Sequence, residues 1–252
     1  MDKNDWLQRC HWLASPLGQI LLAAQSLEMT RIVPKCRAGR FGLVYHSQPL
    51  FSALFSTRIE DLICLSPSRD ETHTLTNRIV ISAVEALPFL ENTLSMIVLP
   101  HILEYVTNPK DTIREAVNVL TGNGTLIITG FNPCSFWGLR HFLMMPGLRQ
   151  RMPYRGEFIS PGRIRRWLLD ADCQIIKTRT VYFRLPIANE TFQRQTQFME
   201  ALGRFCWPVF GGAYVIVAQK LQSPLTPVRE SWRMKDLLLT KGVIQPTPRS
   251  RA

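Results

Sequence analysis

The chain has 252 residues, 46% of them hydrophobic, enough for one large α/β domain with a substantial core. Its formal net charge of +11 favours anionic partners such as nucleic acid, acidic lipid headgroups or a phosphorylated metabolite, although charge alone selects none of them. No apolar run is long enough to span a bilayer, residues 1–6 lack the apolar stretch of a secretory signal, and the six cysteines include no C-x-x-C pair, so a reduced, cytoplasmic protein without a metal site is expected.

In chain order, residues 5–13 and 16–32 carry helical patterning, with Ser15 as N-cap and Pro16 as the first helical residue. Leu17, Ile20, Leu21, Ala24, Leu27 and Ile32 give the second helix a broad apolar stripe. Short β-rich runs follow at 41–45 (FGLVY), 61–65 (DLICL) and 78–82 (RIVIS). Residues 94–99 are apolar with no polar partner face, the pattern of a strand buried on both sides in a parallel sheet. Asn108-Pro109 marks a turn, Ile113, Ala116, Val117 and Leu120 recur at helical spacing, and Gly122-Asn123-Gly124 is the expected stop. Residues 125–129 form another strand, ended by Gly130. Strand, crossover helix and strand make a βαβ unit with parallel neighbours. Ligands of open parallel sheets bind beyond the carboxyl ends of the strands, which here are residues 100–105 and 130–133.

Residues 141–155 are rich in Met and Arg, and Arg149, Arg151 and Arg155 are candidates for a basic rim or lid. Ser160-Pro161 repeats the helix-start signal, residues 174–183 are a strand, 190–207 a helix, and 213–218 (AYVIVA) a last strand. Past residue 221, prolines and an excess of Arg and Lys indicate a mostly disordered basic tail. The expected organisation is therefore N-terminal helices at 1–40 packing on an α/β domain at 41–220, then a tail at 221–252.

Residues 82–133 carry a specific resemblance. Glu85-Ala86-Leu87-Pro88-Phe89, the strand from Leu94, His101-Ile102-Leu103-Glu104-Tyr105, Arg114-Glu115 and Val119-Leu120 with Gly122-Asn123-Gly124 occur in the order and spacing of class I S-adenosylmethionine-dependent methyltransferases. The chain is similar to the methyltransferase type 11 group, and to a bacterial subgroup whose Gly-rich cofactor loop is degenerate. GFNPCSFWGLR at 130–140 also resembles that subgroup. The resemblance implies a Rossmann-like, doubly wound, mostly parallel sheet with an antiparallel last strand, and S-adenosylmethionine as cofactor.

It also implies site positions. The cofactor would meet Tyr45 and His46 after the first strand, Ser66 after the second, Ala83 and Val84 after the third, and Pro100 after the fourth. The chain departs from the pattern there: His46-Ser47-Gln48-Pro49 replaces the glycine turn, and Ser66, Ala83 and Ser95 stand where acids are usual. A serine hydroxyl bonds a ribose without charge, and charge-assisted bonds are roughly twice as strong. His101 and Glu104 are the candidate catalytic residues, with His141 a further candidate base. Tyr105 and Trp137 are candidates to shield a sulfonium by cation–π contact, and Asn132, Trp137 and Arg140 to bind the acceptor. Two functions are open: methyl transfer to a small-molecule or anionic acceptor, or a catalytically inactive methyltransferase fold that binds an anionic partner. A nucleic-acid acceptor is allowed by charge and demanded by no motif. The sequence leaves oligomeric state open.

Overall fold

The computed structural model describes residues 3–32, 41–45, 61–66, 79–82, 85–143, 156–184, 200, 203, 205, 207 and 209–222. The expected basic tail, the lid arginines and the turn after the first strand lie outside the described residues, as does most of the helix expected at 190–207.

Two helices open the chain, α1 (Lys3–Ala14) and α2 (Pro16–Ile32). Ser15 caps the second as its sequence requires, its hydroxyl accepting the Gly18 N–H at 3.2 Å. Seven strands follow among the described residues: β1 (Phe41–Tyr45), β2 (Asp61–Ser66), β3 (Ile79–Ile81), β4 (Leu94–Pro100), β5 (Leu120–Phe131), β6 (Cys173–Val181) and β7 (Ala213–Lys220). Three further helices are α3 (Pro109–Val119), α4 (Phe136–Leu143) and α5 (Pro161–Asp170). The strands form one sheet in the order β3-β2-β1-β4-β5-β7-β6. Strands β1 to β5 pair in parallel, and β7 runs antiparallel to both β5 and β6. This is the Rossmann-like sheet with a reversed last strand in the chain.

Burial follows the sequence pattern. All of β4 except half-buried Ser95 is buried, as the unbroken apolar run demands. Ile113, Ala116 and Val117 of α3 pack on one face of the sheet with Ile164 and Leu168 of α5. Leu21, Leu22, Met29 and Ile32 of α2 pack on the other, beside Val98, Ile127 and Val215. Arg114-Glu115 and the turn before β4 are tied together: the Glu115 carboxylate accepts the Leu87 N–H at 3.2 Å.

Two glycine readings are corrected. α3 ends before the Gly122-Asn123-Gly124 triplet, with Leu120 as its C-cap in extended backbone; within the triplet Asn123 takes the left-handed backbone (φ 64°), and no glycine has positive φ among the described residues. Asn123 is held there by its amide donating to Gln222 at 2.8 Å and its carbonyl accepting from Gln219 at 2.9 Å. Gly130 does not end β5, which continues to Phe131. It is glycine for room, since a Cβ there would overlap the Tyr214 hydroxyl.

Cys10, Cys64, Cys134 and Cys173 are free thiols. Burial pushes the Cys64 and Cys173 thiols up to about 11 from 9.0, opposed at Cys64 by the Arg9 charge and at Cys173 by Lys220. A pKa raised by folding means that the native state holds its protons longer. Stability is therefore intact below pH 9 and falls as pH rises toward 11, by about 2–3 kcal/mol per thiol. Urea midpoints of the wild type should drop over that window, and a Cys64→Ala, Cys173→Ala variant should lose measurably less.

Candidate functional site

The rim at the carboxyl ends of β4 and β5 is built around two buried ionisable side chains. After Pro100 the chain leaves β4 through His101, whose backbone is left-handed (φ 51°), a conformation costing a non-glycine residue on the order of 1 kcal/mol. That turn sends the imidazole back into the protein, where it is fully buried. Its Nδ1 lies 3.2 Å from Glu104 Oε2, and its Nε2 lies 2.9 Å from the Gln25 amide nitrogen and 3.3 Å from the amide oxygen. The second carboxylate oxygen, Glu104 Oε1, accepts the Phe131 backbone N–H at the end of β5. Burial first, and the Glu104 charge second, push the Tyr214 phenol well above its ordinary range, so this hydroxyl stays protonated beside Gly130.

The N-terminal helices complete the rim. Arg9 of α1 is fully buried and donates from Nη2 to the Pro100 carbonyl at 2.9 Å. Gln25 interrupts the apolar face of α2 to meet His101. Trp12 packs edge-on against Phe131 (ring centroids 5.2 Å) and Trp137 (5.9 Å), and Phe131 stacks on Phe158 at 5.2 Å.

The predicted residues therefore separate. His101 and Glu104 are together, and His101 and Trp137 share one rim through Phe131, at 4.5 Å and 5.7 Å between centroids. The space between them is occupied by Phe131 and Trp12, so Trp137 packs in an aromatic cluster with its indole nitrogen buried and unpartnered. Asn132 is buried in the turn after β5, and its amide is committed to the chain. It donates to the Val209 and Gly211 carbonyls and accepts the Cys134 N–H. Ser135 caps α4 by accepting the Gly138 N–H at 3.1 Å, and Gly138 is glycine because a Cβ would strike the Pro133 carbonyl. GFNPCSFWGLR is thus first a strand-to-helix joint. Arg140 lies on α4. Pro100 ends β4, Tyr45 ends β1 and Ser66 ends β2 along one edge, with Tyr45 opposite Leu65 and Val44 opposite Val98. His46, Ala83 and Val84 lie outside the described residues.

Sequence reasoning missed Arg9 and Gln25. The signal for Gln25 was present: it sits four residues from both Leu21 and Met29, on the buried face of α2. A polar residue at such a position announces a buried polar partner.

A cleft of about 740 Å³ opens beside this rim, lined by Asn132, the C-terminal turn of α2, the start of α5 and the outer half of β6. Among the described residues no group of His, Cys, Asp or Glu is arranged to hold a metal. Tyr45 and Ser66, which end β1 and β2, are neutral residue types.

Residues 53–128 match a family model described as a methyltransferase domain. Among curated relatives, the uncharacterized protein YafS of Escherichia coli is 32% identical over 147 residues, covering 58% of this chain and 57% of YafS. The uncharacterized protein Rv2003c of Mycobacterium tuberculosis is 26% identical over 187 residues, covering 69% of this chain and 60% of the relative. The chain thus spans less than two thirds of the length of either relative. Solved structures share the fold at low identity. A SAM-dependent methyltransferase from Archaeoglobus fulgidus superposes with TM-score 0.54 and 15% identity, over 80% of this chain and 94% of that one. An S-adenosylmethionine-dependent methyltransferase from Mesorhizobium loti gives 0.56 and 11%, over 77% and 96%. The [4+2]-cyclase SpnF also superposes, with TM-score 0.54 and 15% identity over 79% and 80%.

Glu104→Ala would leave the His101 ring and the Phe131 N–H without their buried acceptor. Urea unfolding should show a loss of about 3–5 kcal/mol. Gly130→Ala should cost about 2–4 kcal/mol by displacing Tyr214 and Glu104. A loss below about 1 kcal/mol in either variant would contradict the packing at this rim.

Proposed function

We propose that this chain, with a methyltransferase domain over residues 53–128 on the class I methyltransferase fold, transfers the methyl group of S-adenosylmethionine to a small-molecule acceptor. The observation that carries the reading is the coincidence of the family match with the sheet: the match ends at Ile128 inside β5, so it spans β2, β3, β4 and α3, the elements beside the expected donor edge. S-adenosylmethionine, when bound, supplies an activated methyl on a sulfonium, and the protein has to align and desolvate the acceptor. Tyr45, Ser66 and the Pro100 turn would hold the donor, with His46, Ala83 and Val84 completing the set.

In this reading His101 and Glu104 are positioning residues. Their side chains are 0% and 1% exposed, and the 3.2 Å contact between Nδ1 and the carboxylate braces the turn after β4. The aromatic cluster of Trp12, Phe131 and Trp137 keeps water from that turn. Asn132 borders the cleft on the acceptor side, and Arg140 follows on α4. Free thiols at Cys10, Cys64, Cys134 and Cys173 fit a reducing compartment, the cytoplasm. No described helix is long and apolar enough to cross a membrane.

A second reading, a catalytically inactive fold that binds an anionic partner, is favoured by one feature. Arg9 and Gln25 occupy polar groups of the Pro100–His101 turn, where a donor's neighbour would otherwise bond. Titration calorimetry with S-adenosylmethionine on the purified chain separates the two. Methyl transfer predicts saturable binding with a micromolar dissociation constant, and binding weaker than about 1 mM would leave only the inactive fold.

A further inference from the structure

The cleft beside the rim carries a charge pattern that the donor site does not explain. Its walls bring together Arg31 from α2, Arg165 from α5, and Lys177 and Arg179 from β6. The lining holds one carboxylate, Glu28, already bridged to Arg31 at 2.8 Å. No acid among the described residues pairs with Arg165, Lys177 or Arg179. Like charges gathered in one concavity repel, and the arrangement is favourable once an anion enters.

The rest of the lining is suited to the same ligand. The cleft begins at the N-terminus of α5, a helix of ten residues whose dipole adds positive potential there. Gly162, in that first turn, has open space around it: a Cβ would meet nothing within 4 Å. Thr178, also lining the cleft, has a buried hydroxyl without a partner. The volume of about 740 Å³ is that of a small-molecule site rather than a polymer track. A single carboxylate would neutralise one of the cations, whereas a phosphate or pyrophosphate brings two or more negative charges and several acceptor oxygens for guanidinium forks.

We infer that the cleft walled by Arg165, Lys177 and Arg179 binds a phosphorylated small molecule, which on the reading above is the methyl acceptor.

Inorganic pyrophosphate is the probe, titrated calorimetrically into the full chain at low ionic strength. One site should saturate. Arg165→Gln with Arg179→Gln, both exposed positions, should weaken binding at least about 30-fold, the loss of two charge-assisted bonds. Arg166→Gln, next along α5 and outside the lining, is the charge-matched control and should change affinity less than about 3-fold. No binding, several equivalent sites, or equal losses in variant and control would overturn the assignment. Tighter binding of a single-stranded oligonucleotide than of pyrophosphate, sensitive to the same two arginines, would overturn the small-molecule class. S-adenosylmethionine is titrated separately into the same variants. Unchanged donor binding with lost pyrophosphate binding supports the cleft as a distinct site, and displacement of pyrophosphate by S-adenosylmethionine would overturn it. Pyrophosphate binding without any donor binding would sink the transfer reading and leave the phosphate site standing.

Discussion

A buried carboxylate governs the working end of this protein. Taking an ionised carboxylate out of water costs several kcal/mol even after relaxation, so it persists only where donors surround it. Glu104 meets the His101 ring with one oxygen and the Phe131 N–H with the other. The first contact is made from a left-handed residue at the exit of β4, His101 at φ 51°. The second ties the end of β4's turn to the end of β5. Gly130 and Tyr214 then follow, because the tyrosine hydroxyl uses the space where a side chain at 130 would stand. The N-terminal helices are fastened to the same point, Gln25 through His101 and Arg9 through the Pro100 carbonyl.

The fold alone does not specify a reaction. Methyltransferases and a [4+2]-cyclase superpose on this chain to similar degrees, at identities where only architecture is shared. Charge is unevenly distributed along the rim of this chain. Tyr45, Ser66 and Pro100, which end β1, β2 and β4, are neutral residue types. The β6 side collects the cations. On the proposed reading, a neutral edge for the donor beside a cationic side for the acceptor suits a reaction in which the protein's electrostatic work is done on the acceptor.

Much of the fold was legible because its causes are local. Unbroken apolar runs gave β4 and β5, period 3.6 gave α3 and α5, and the Ser-Pro pairs at 15 and 160 located two helix starts through hydroxyl caps. The failures concern space rather than pattern. Gly130 was read as a breaker because sequence carries no record of a tyrosine 84 positions later filling the room above it. The Gly122-Asn123-Gly124 triplet is expected to stop α3, but the helix ends before it at Val119, and the left-handed residue of the triplet is Asn123, whose amide bonds Gln222. At the site, the strand-end rule pointed to His101 and Glu104, and the structure brings these two side chains together. It could not say that α1 and α2 would cover them, because packing between helices and a distant turn depends on the assembled surfaces of both.

On the proposed reading, that covering bears on how an acceptor would reach the rim. To expose His101 from above, α2 would have to lift and uncover Leu21, Leu22, Met29 and Ile32, each no more than 3% exposed. At about 1.5–3 kcal/mol per buried side chain, this is roughly 6–12 kcal/mol, before the Gln25 hydrogen bond is counted. The whole stability of a domain is about 5–15 kcal/mol, so lifting α2 amounts to unfolding a large part of the protein. Access through α2 is therefore excluded on energetic grounds, and the open cleft on the β6 side becomes the route that leaves the core intact. On that reading, an acceptor in the cleft would lie among Arg165, Lys177 and Arg179 and beside Asn132 of the turn after β5, so the charge of the cleft would favour an anionic acceptor.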